Sequence, residues 1–406
     1  PATNGPVIEA LRHHYRTIGM IICLTLPIAV TFYLCFVYAA SYLTEHMHYS
    51  TAQALDTGTS AVTLETPVPE AGVLSPAANP HLRWHPLRGE WVAYAAHRQE
   101  RTFLPPPEYN PLRPSGPGDA PTELPRGRYD VAVFDNLFPS LRADAHDPPS
   151  LLVPTRAATG ACEVVVYSQD PQARLAALPL PHLDLLLQVW GERTARLGAR
   201  DDVQYVLPFE NRGVEVGVTL HHPHGQLYAY PFVPPVPARM QAEERRHYDA
   251  HGRALLASLI ESEIAAGERL LYQTELAVAW VPAWARYPYE AWVAPRRAVA
   301  TLADLDPPER HELARALKTV LLKYDGLWSR PFPYLMAWFQ APTDGAGHPE
   351  SHLHAEFYPP MRSRDRLKYL AGTELAAGTF ANDTLPETRA RELQAIEVAL
   401  DDVGSA

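Results

Sequence analysis

Between residues 209 and 228 the chain reads Phe-Glu-Asn-Arg-Gly-Val-Glu-Val-Gly-Val-Thr-Leu-His-His-Pro-His-Gly-Gln-Leu-Tyr. Three histidines fall in four positions, His221, His222 and His224, with Pro223 stiffening the backbone between the last two and Gly225 and Gln226 following. In an extended backbone side chains alternate between faces, so His222, His224 and Gln226 are expected on one side. Neutral imidazole is nucleophilic and protonated imidazole leaves well, so two imidazoles and an amide in a row suit attack on phosphorus. Clustered histidines also bind zinc, and the residues alone leave that chemistry open. His221, pointing to the opposite face, reads as a packed or surface histidine.

Two further groups could serve an anionic substrate. His97-Arg98-Gln99-Glu100-Arg101 follows a strand candidate, and two arginines three apart can hold a diphosphate by paired charge-assisted hydrogen bonds, or be ordinary solvated charge. A second His-x-His, His352-Leu353-His354, lies a domain's length downstream of the first, and it reads more readily as core than as catalyst. The net charge of −11 argues against nucleic-acid binding, which needs clustered Lys and Arg.

The elements that must position these residues recur. Residues 84–94 read as a turn feeding a short strand, and 128–134 and 162–168 as strands, the last rich in valine. Residues 181–197 form an amphipathic helix with Leu183, Leu186, Leu187, Trp190 and Leu197 on one face and Gly198 as its stop. Residues 203–209 then make a strand and Asn211-Arg212-Gly213 a turn before the histidines. The second half repeats the order. A strand over 289–294 is followed by a helix opened by Asp306-Pro307-Pro308-Glu309, with N-cap, first-turn proline and capping-box glutamate. Leu313, Leu317, Val320, Leu321 and Tyr324 stripe that helix; then come a strand over 334–340, a Gly-rich turn and His352-Leu353-His354. The expected fold is therefore α+β, two tandem halves over 81–236 and 237–406 with mainly antiparallel sheets and flanking helices, of which the first is catalytic.

At 406 residues the chain has room for both halves and for an extension. Residues 18–43 are almost wholly apolar and uncharged, long enough for a membrane-spanning helix, within an N-terminal extension of residues 1–57. That segment resembles one helix of a major-facilitator-type transporter. Arg12 and Arg16 before it would place the N-terminus in the cytoplasm and the remainder outside. Residues 58–80, rich in Thr, Pro, Ala and Gly, read as a linker. Three cysteines without a C-x-x-C pair, Cys23, Cys35 and Cys162, make a disulfide framework or a cysteine-based zinc site unexpected.

His-Pro-His-Gly-Gln, preceded by Phe-Glu-Asn-x-Gly and Gly-x-Thr, resembles the galactose-1-phosphate uridylyltransferase family of the histidine-triad superfamily, over residues 80–400. The resemblance implies that His224 attacks the α-phosphorus of UDP-glucose, giving a covalent uridylyl-histidine that galactose 1-phosphate then resolves. It makes Gln226 a donor to the phosphoryl oxygens and places Asn211, Gly217 and Thr219 at the nucleotide phosphates. Arg98 and Arg101 match the family's arginine pair, and Asn136, within Phe-Asp-Asn-Leu-Phe-Pro-Ser-Leu, its uridine and ribose loop. Lys368, Tyr369 and Glu374 resemble a hexose-phosphate loop given to a neighbouring subunit, which implies a homodimer. His222 is then a hydrogen-bonding neighbour that orients the site.

Zinc and iron are the metals the resemblance raises, and most of their ligands are missing. Members with structural zinc carry Cys-Pro-Leu-Cys where this chain has Asn110-Pro111-Leu112-Arg113. The third ligand is replaced near Pro171, and His222 alone remains. At the second metal site of some members Phe339 stands in place of a histidine and Met240 in place of the glutamate, with Glu243 near it. No tightly bound cofactor is expected. Two other readings stay open: a histidine-triad hydrolase or dinucleotide phosphorylase, against which Gln226 speaks because hydrolytic relatives place a third histidine there, and a non-catalytic, membrane-tethered nucleotide-binding protein. Nucleotide-sugar chemistry implies a cytoplasmic catalytic part, at odds with the orientation that Arg12 and Arg16 favour, anchored by residues 18–43. If those residues span a membrane, the whole chain will need detergent while a chain starting near residue 80 stays soluble; equal detergent-free solubility of the two would remove the anchor.

Overall fold

The computed structural model describes residues 79–101, 105, 110–114, 122–124 and 129–400. The apolar stretch 18–43 and the linker expected over 58–80, save its last two residues, lie outside the described residues. Among the described residues no helix is long and apolar enough to cross a membrane.

Fourteen strands and five α-helices make up the described chain. A hairpin of β1 (His81–His85) and β2 (Glu90–Tyr94) opens it, and β4 (Thr155–Ala157) pairs on the other edge of β1. The main sheet takes β3 (Ala132–Asp135), β5 (Ala161–Val166), β6 (Tyr205–Arg212) and β7 (His224–Tyr230) from the first half. From the second it takes β8 (Leu270–Gln273), β9 (Ala277–Trp280), β10 (Ala291–Pro295), β11 (Tyr334–Phe339) and β12 (His354–Tyr358). A small ribbon of β13 (Met361–Ser363) and β14 (Arg366–Leu367) follows. The helices are α1 (Leu180–Gly198), α2 (Pro235–His251), α3 (Leu255–Ala266), α4 (Pro307–Leu327) and α5 (Pro386–Gln394).

The order across the sheet is β3-β5-β7-β6-β11-β12-β10-β9-β8, and every ladder in it is antiparallel. Read outward from the junction of β6 and β11 it is nearly a palindrome. β6 answers β11, β7 answers β12, β5 answers β10, and α1 and α4 fill the same interval in each half. The repeat expected from residue order is therefore a pseudo-two-fold axis through one continuous sheet. The turn expected at Asn211-Arg212-Gly213 is instead the end of β6. Asn211 and Arg212 pair with Leu335 and Tyr334, and the chain breaks at Gly213, where φ is +98°. Cross-strand pairing with the other half extends a strand whose local residues favour a turn.

One face of this sheet carries α1 and α4. Leu183, Leu186, Leu187 and Trp190 of α1 meet Leu317, Val320, Leu321 and Tyr324 of α4 in one core with the inward residues of the strands, Leu227 and Ala229 of β7 among them. The Trp190 and Trp338 rings lie 6.2 Å apart across it. The predicted cap of α4 forms: Asp306 accepts from the Glu309 amide at 2.8 Å and the Glu309 carboxylate takes the Asp306 amide at 3.1 Å. By period two the other face receives His224, Gln226 and Tyr228 in the first half and His354, Glu356 and Tyr358 in the second. There the halves part. In the second, α3 closes a core of Leu256 and Ile260 on Trp280 and Trp292, and α2 brings Met240, Gln241 and Glu244 to the walls of a cavity of about 20 Å³ beside His352 and His354.

Glu210 lies buried at the junction, accepting from the Tyr334 hydroxyl at 3.1 Å, and burial pushes its carboxyl up to about 7. A carboxyl raised from 4.5 binds its proton more tightly in the folded chain than in the unfolded one, so its contribution favours folding below about 4.5 and is lost as pH rises to about 7. Thermal unfolding of Glu210→Gln should therefore fall off less between pH 5 and 7 than that of the parent; parallel curves would contradict the assignment.

Candidate active site

β7 begins at His224, so the histidine row is only partly a strand. His224 and Gln226 stand on its open face, with Tyr228 next along, while His222 sits buried in the bend before it, the residue 2% exposed. The expected row of His222, His224 and Gln226 thus becomes His224, Gln226 and Tyr228, and His222 is turned into the protein. His221 is exposed.

The hydrogen bonds fix what each ring can do. His224 Nδ1 is 2.7 Å from the backbone carbonyl of His222; a carbonyl only accepts, so Nδ1 carries the proton and Nε2 keeps its lone pair. Among the described residues nothing hydrogen-bonds Nε2. Burial lowers the His224 pKa from 6.5, so the neutral ring is favoured at neutral pH. His222 contacts Ser168 O through Nε2 at 2.7 Å and the Asn110 side-chain amide through Nδ1 at 3.0 Å, and its pKa is also lowered by burial.

Gly225 is required by packing. A Cβ there would lie 2.1 Å from the Tyr167 hydroxyl and 2.9 Å from the Phe209 carbonyl. β7 therefore runs close over Tyr167 while presenting the residues on either side of Gly225 outward.

Two hollows meet at His224. One, of about 90 Å³, is lined by Arg98, Arg101, Asn136, Thr219 and Gln226 as well as His224. The other, of about 870 Å³, includes Asn211, Gly213, His221 and His222. Asn136 donates from Nδ2 to Gln226 Oε1 at 3.3 Å, which leaves the Gln226 NH2 for another acceptor; Asn136 Oδ1 takes the Phe138 amide at 2.8 Å. Arg98, on the 3-10 turn Ala96–Glu100, is held by Phe138 O at 2.6 Å and the Tyr228 hydroxyl at 3.3 Å. Asn211 Oδ1 is buried without a hydrogen-bond partner among the described residues. Gly217 takes φ +79° at the end of the 3-10 turn Val214–Val216, and Thr219 follows it into the smaller hollow.

Lys368, Tyr369 and Glu374 line neither hollow. Lys368 Nζ bonds Ala381 O and lies 3.5 Å from Glu374, whose carboxylate also caps the Ala371 and Ala381 amides, and Tyr369 is 77% exposed. One chain does not bring them to His224.

The second His-x-His copies the backbone of the first without its opening. His352 Nε2 donates to Pro295 O at 2.8 Å and His354 Nδ1 to His352 O at 2.9 Å. His354 Nε2, however, meets Glu356 at 3.1 Å, at the position that answers Gln226, and the ring is stacked between Trp292 and Phe339. Burial opposes charge on His354, but Glu356 outweighs it and the pKa is raised.

Neither metal position raised by the resemblance fits a metal. At the first, both nitrogens of His222 are engaged by Asn110 and Ser168. At the second, both nitrogens of His354 are engaged and Phe339 covers its ring. The acidic residue facing that cavity is Glu244; Glu243 pairs with Arg246 on the surface. Among the described residues no three His, Cys, Asp or Glu are grouped to hold an ion. Tyr228 also belongs to the site, its signal in the residues being its place two positions beyond Gln226 on the same face, while the carbonyls of Phe138 and Ser168 leave no trace in residue type.

The family model described as galactose-1-phosphate uridyl transferase, N-terminal domain, matches residues 72–234, and that of the C-terminal domain matches 241–404. A galactose-1-phosphate uridylyltransferase of Thermotoga maritima is 39% identical, over 79% of this chain and 99% of that protein. One of Rattus norvegicus is 35% identical over 78% of this chain and 87% of that protein. A solved structure titled "Structure of uridylyltransferase" superposes with TM-score 0.70 at 31% identity, over 78% of this chain and 97% of that one.

Gly225→Ala should lower stability by about 1–3 kcal/mol, the usual range for overpacking a filled site, because the Phe209 carbonyl must give way. Urea unfolding measures it, and a change within 0.5 kcal/mol, the roughly neutral range of surface substitutions, would refute the close approach.

Proposed function

The chain belongs to the galactose-1-phosphate uridyl transferase family, and from that premise we propose that it moves UMP from UDP-glucose to galactose 1-phosphate through a uridylyl group on His224. The observation that carries the reading is the bond from His224 Nδ1–H to the His222 carbonyl, which leaves the Nε2 lone pair on the side of the hollow shared with Gln226 and the arginines.

In the first half-reaction Nε2 attacks the α-phosphorus. The N–P bond forms, the bond from that phosphorus to the bridging oxygen breaks, and glucose 1-phosphate leaves with the electron pair. The ring, now bonded at both nitrogens, gains positive charge, which the His222 carbonyl stabilises through Nδ1–H. In the second, an oxygen of the galactose 1-phosphate phosphate attacks the same phosphorus and His224 leaves neutral. Phosphoryl-type transfer depends on positioning and fixed charge more than on proton movement. Gln226, its carbonyl occupied by Asn136, presents NH2 to a phosphoryl oxygen, and Arg98 and Arg101 offset the charge of the diphosphate. Asn211, Gly217 and Thr219 are assigned to the nucleotide side of the site, with Asn136 toward the ribose. Lys368, Tyr369 and Glu374 would reach hexose phosphate only from a second subunit, so the reading includes a homodimer. It requires no metal. The soluble nucleotide-sugar substrates put the catalytic part in the cytoplasm, and an anchor through residues 18–43 is kept as a separate proposal.

Incubation with UDP-glucose labelled at the α-phosphate should leave acid-labile label on the chain, discharged by galactose 1-phosphate. His224→Ala should carry none, and Gln226→Ala should label roughly a hundred- to a thousandfold more slowly, the usual cost of one oxyanion donor. Discharge by water or inorganic phosphate at an equal rate would favour a hydrolase or phosphorylase. No label on the parent chain would end the proposal.

A further inference from the structure

His222 is fixed from both sides, and its two partners determine which nitrogen bears the proton. Ser168 O can only accept, so Nε2 carries hydrogen across the 2.7 Å contact. Asn110 cannot be turned round to offer its oxygen, because Oδ1 already accepts the Leu112 amide at 3.0 Å; its NH2 faces His222, and Nδ1 accepts at 3.0 Å. The ring is therefore neutral, Nε2–H, and clamped between two loops that the sequence places far apart. The backbone of this same residue supplies the carbonyl that holds His224 Nδ1–H.

The second half of the chain serves as an internal control. His352 repeats the bond to a carbonyl, on Pro295, and His354 repeats the bond to the carbonyl of His352. His352 Nδ1, however, is buried with no hydrogen-bond partner among the described residues, and His354 Nε2 is closed off by Glu356. The amide clamp is present in the half whose second histidine has an open nitrogen and absent from the half whose nitrogen is occupied. A structural need common to both halves would have appeared in both.

We propose that Asn110 is a positioning residue for uridylyl transfer: its NH2 fixes the His222 ring, and through it the orientation of the His222 carbonyl that aims His224 Nε2 at phosphorus. The inference rests on the function proposed above. Asn110 gives up no proton; the N–P and P–O bond changes remain those of His224. Its effect should appear in the rate of N–P bond formation and not in nucleotide affinity, because a swing of the His222 carbonyl tilts the attacking lone pair while leaving the arginines and Gln226 in place.

Asn110→Ser isolates this effect, since the hydroxyl can still accept from the Leu112 amide but is too short to reach His222 Nδ1 and brings no charge to it. The dissociation constant for UDP-glucose should stay within about threefold while single-turnover labelling slows roughly ten- to a hundredfold, the scale of a small misalignment of reacting atoms. Equal labelling rates with equal folding, or a loss seen only in affinity, would overturn the role. A readout independent of activity and of the variant's folding is the 15N shift of the His222 ring in the labelled parent chain, its signal identified by its loss in His222→Gln. The proposal requires a bare Nδ1 and a protonated Nε2, and the opposite tautomer overturns it. A parent chain that never takes up label defeats the proposed function itself, whereas a labelled parent with an equally fast Asn110→Ser defeats this inference alone.

Discussion

The site depends on one hydrogen bond within a tripeptide, from His224 Nδ1–H to the carbonyl of His222. It sets the tautomer, and with burial disfavouring the charged ring it leaves a nucleophilic Nε2 without any separate general base. The surrounding structure keeps that carbonyl in place. Pro223 restrains the backbone between the two residues, Ser168 and Asn110 hold the ring of the residue that owns the carbonyl, and Gly225 lets β7 settle over Tyr167.

Two halves of one sheet carry the same local geometry and only one leaves it usable. The difference lies in what covers the face away from α1 and α4. Over the second half α2 and α3 supply side chains that close it, and burial then makes an unpaired polar group costly, so His354 is satisfied by Glu356 and flanked by two aromatic rings. Over the first half the covering residues leave hollows, and Gln226, tied to Asn136, still has its NH2 to give. Charge is handled locally as well. In a chain of net charge −11, Arg98 is fixed through Phe138 O and Tyr228 beside the histidine, so a held positive charge faces the hollow.

Much of this was legible in the residues. Period two put His224 and Gln226 on one face, the helical stripe of Leu183, Leu186, Leu187 and Trp190 marked α1, and the Asp306 to Glu309 box started α4 at the right residue. The repeated order of elements announced the duplication. Less legible were places where a distant partner outweighs local preference: Asn211 and Arg212, drawn into β6 by β11, and His222, turned away from its row by Asn110 and Ser168. Glu243 and Glu244 are neighbours in sequence, and only the rotation of α2 puts Glu244 beside the His354 cavity.

Sequence by itself determined the chemistry available, imidazole beside amide and guanidinium, and the two-fold repetition of the scaffold, because both follow from residue type and short-range periodicity. Tertiary structure alone decided which histidine keeps a free nitrogen, which nitrogen it is, and which half stays open. Those outcomes depend on hydrogen bonds to backbone carbonyls and on the packing of helices over one face of a sheet. A carbonyl is the same in every residue, so where it points is written only in the folded chain.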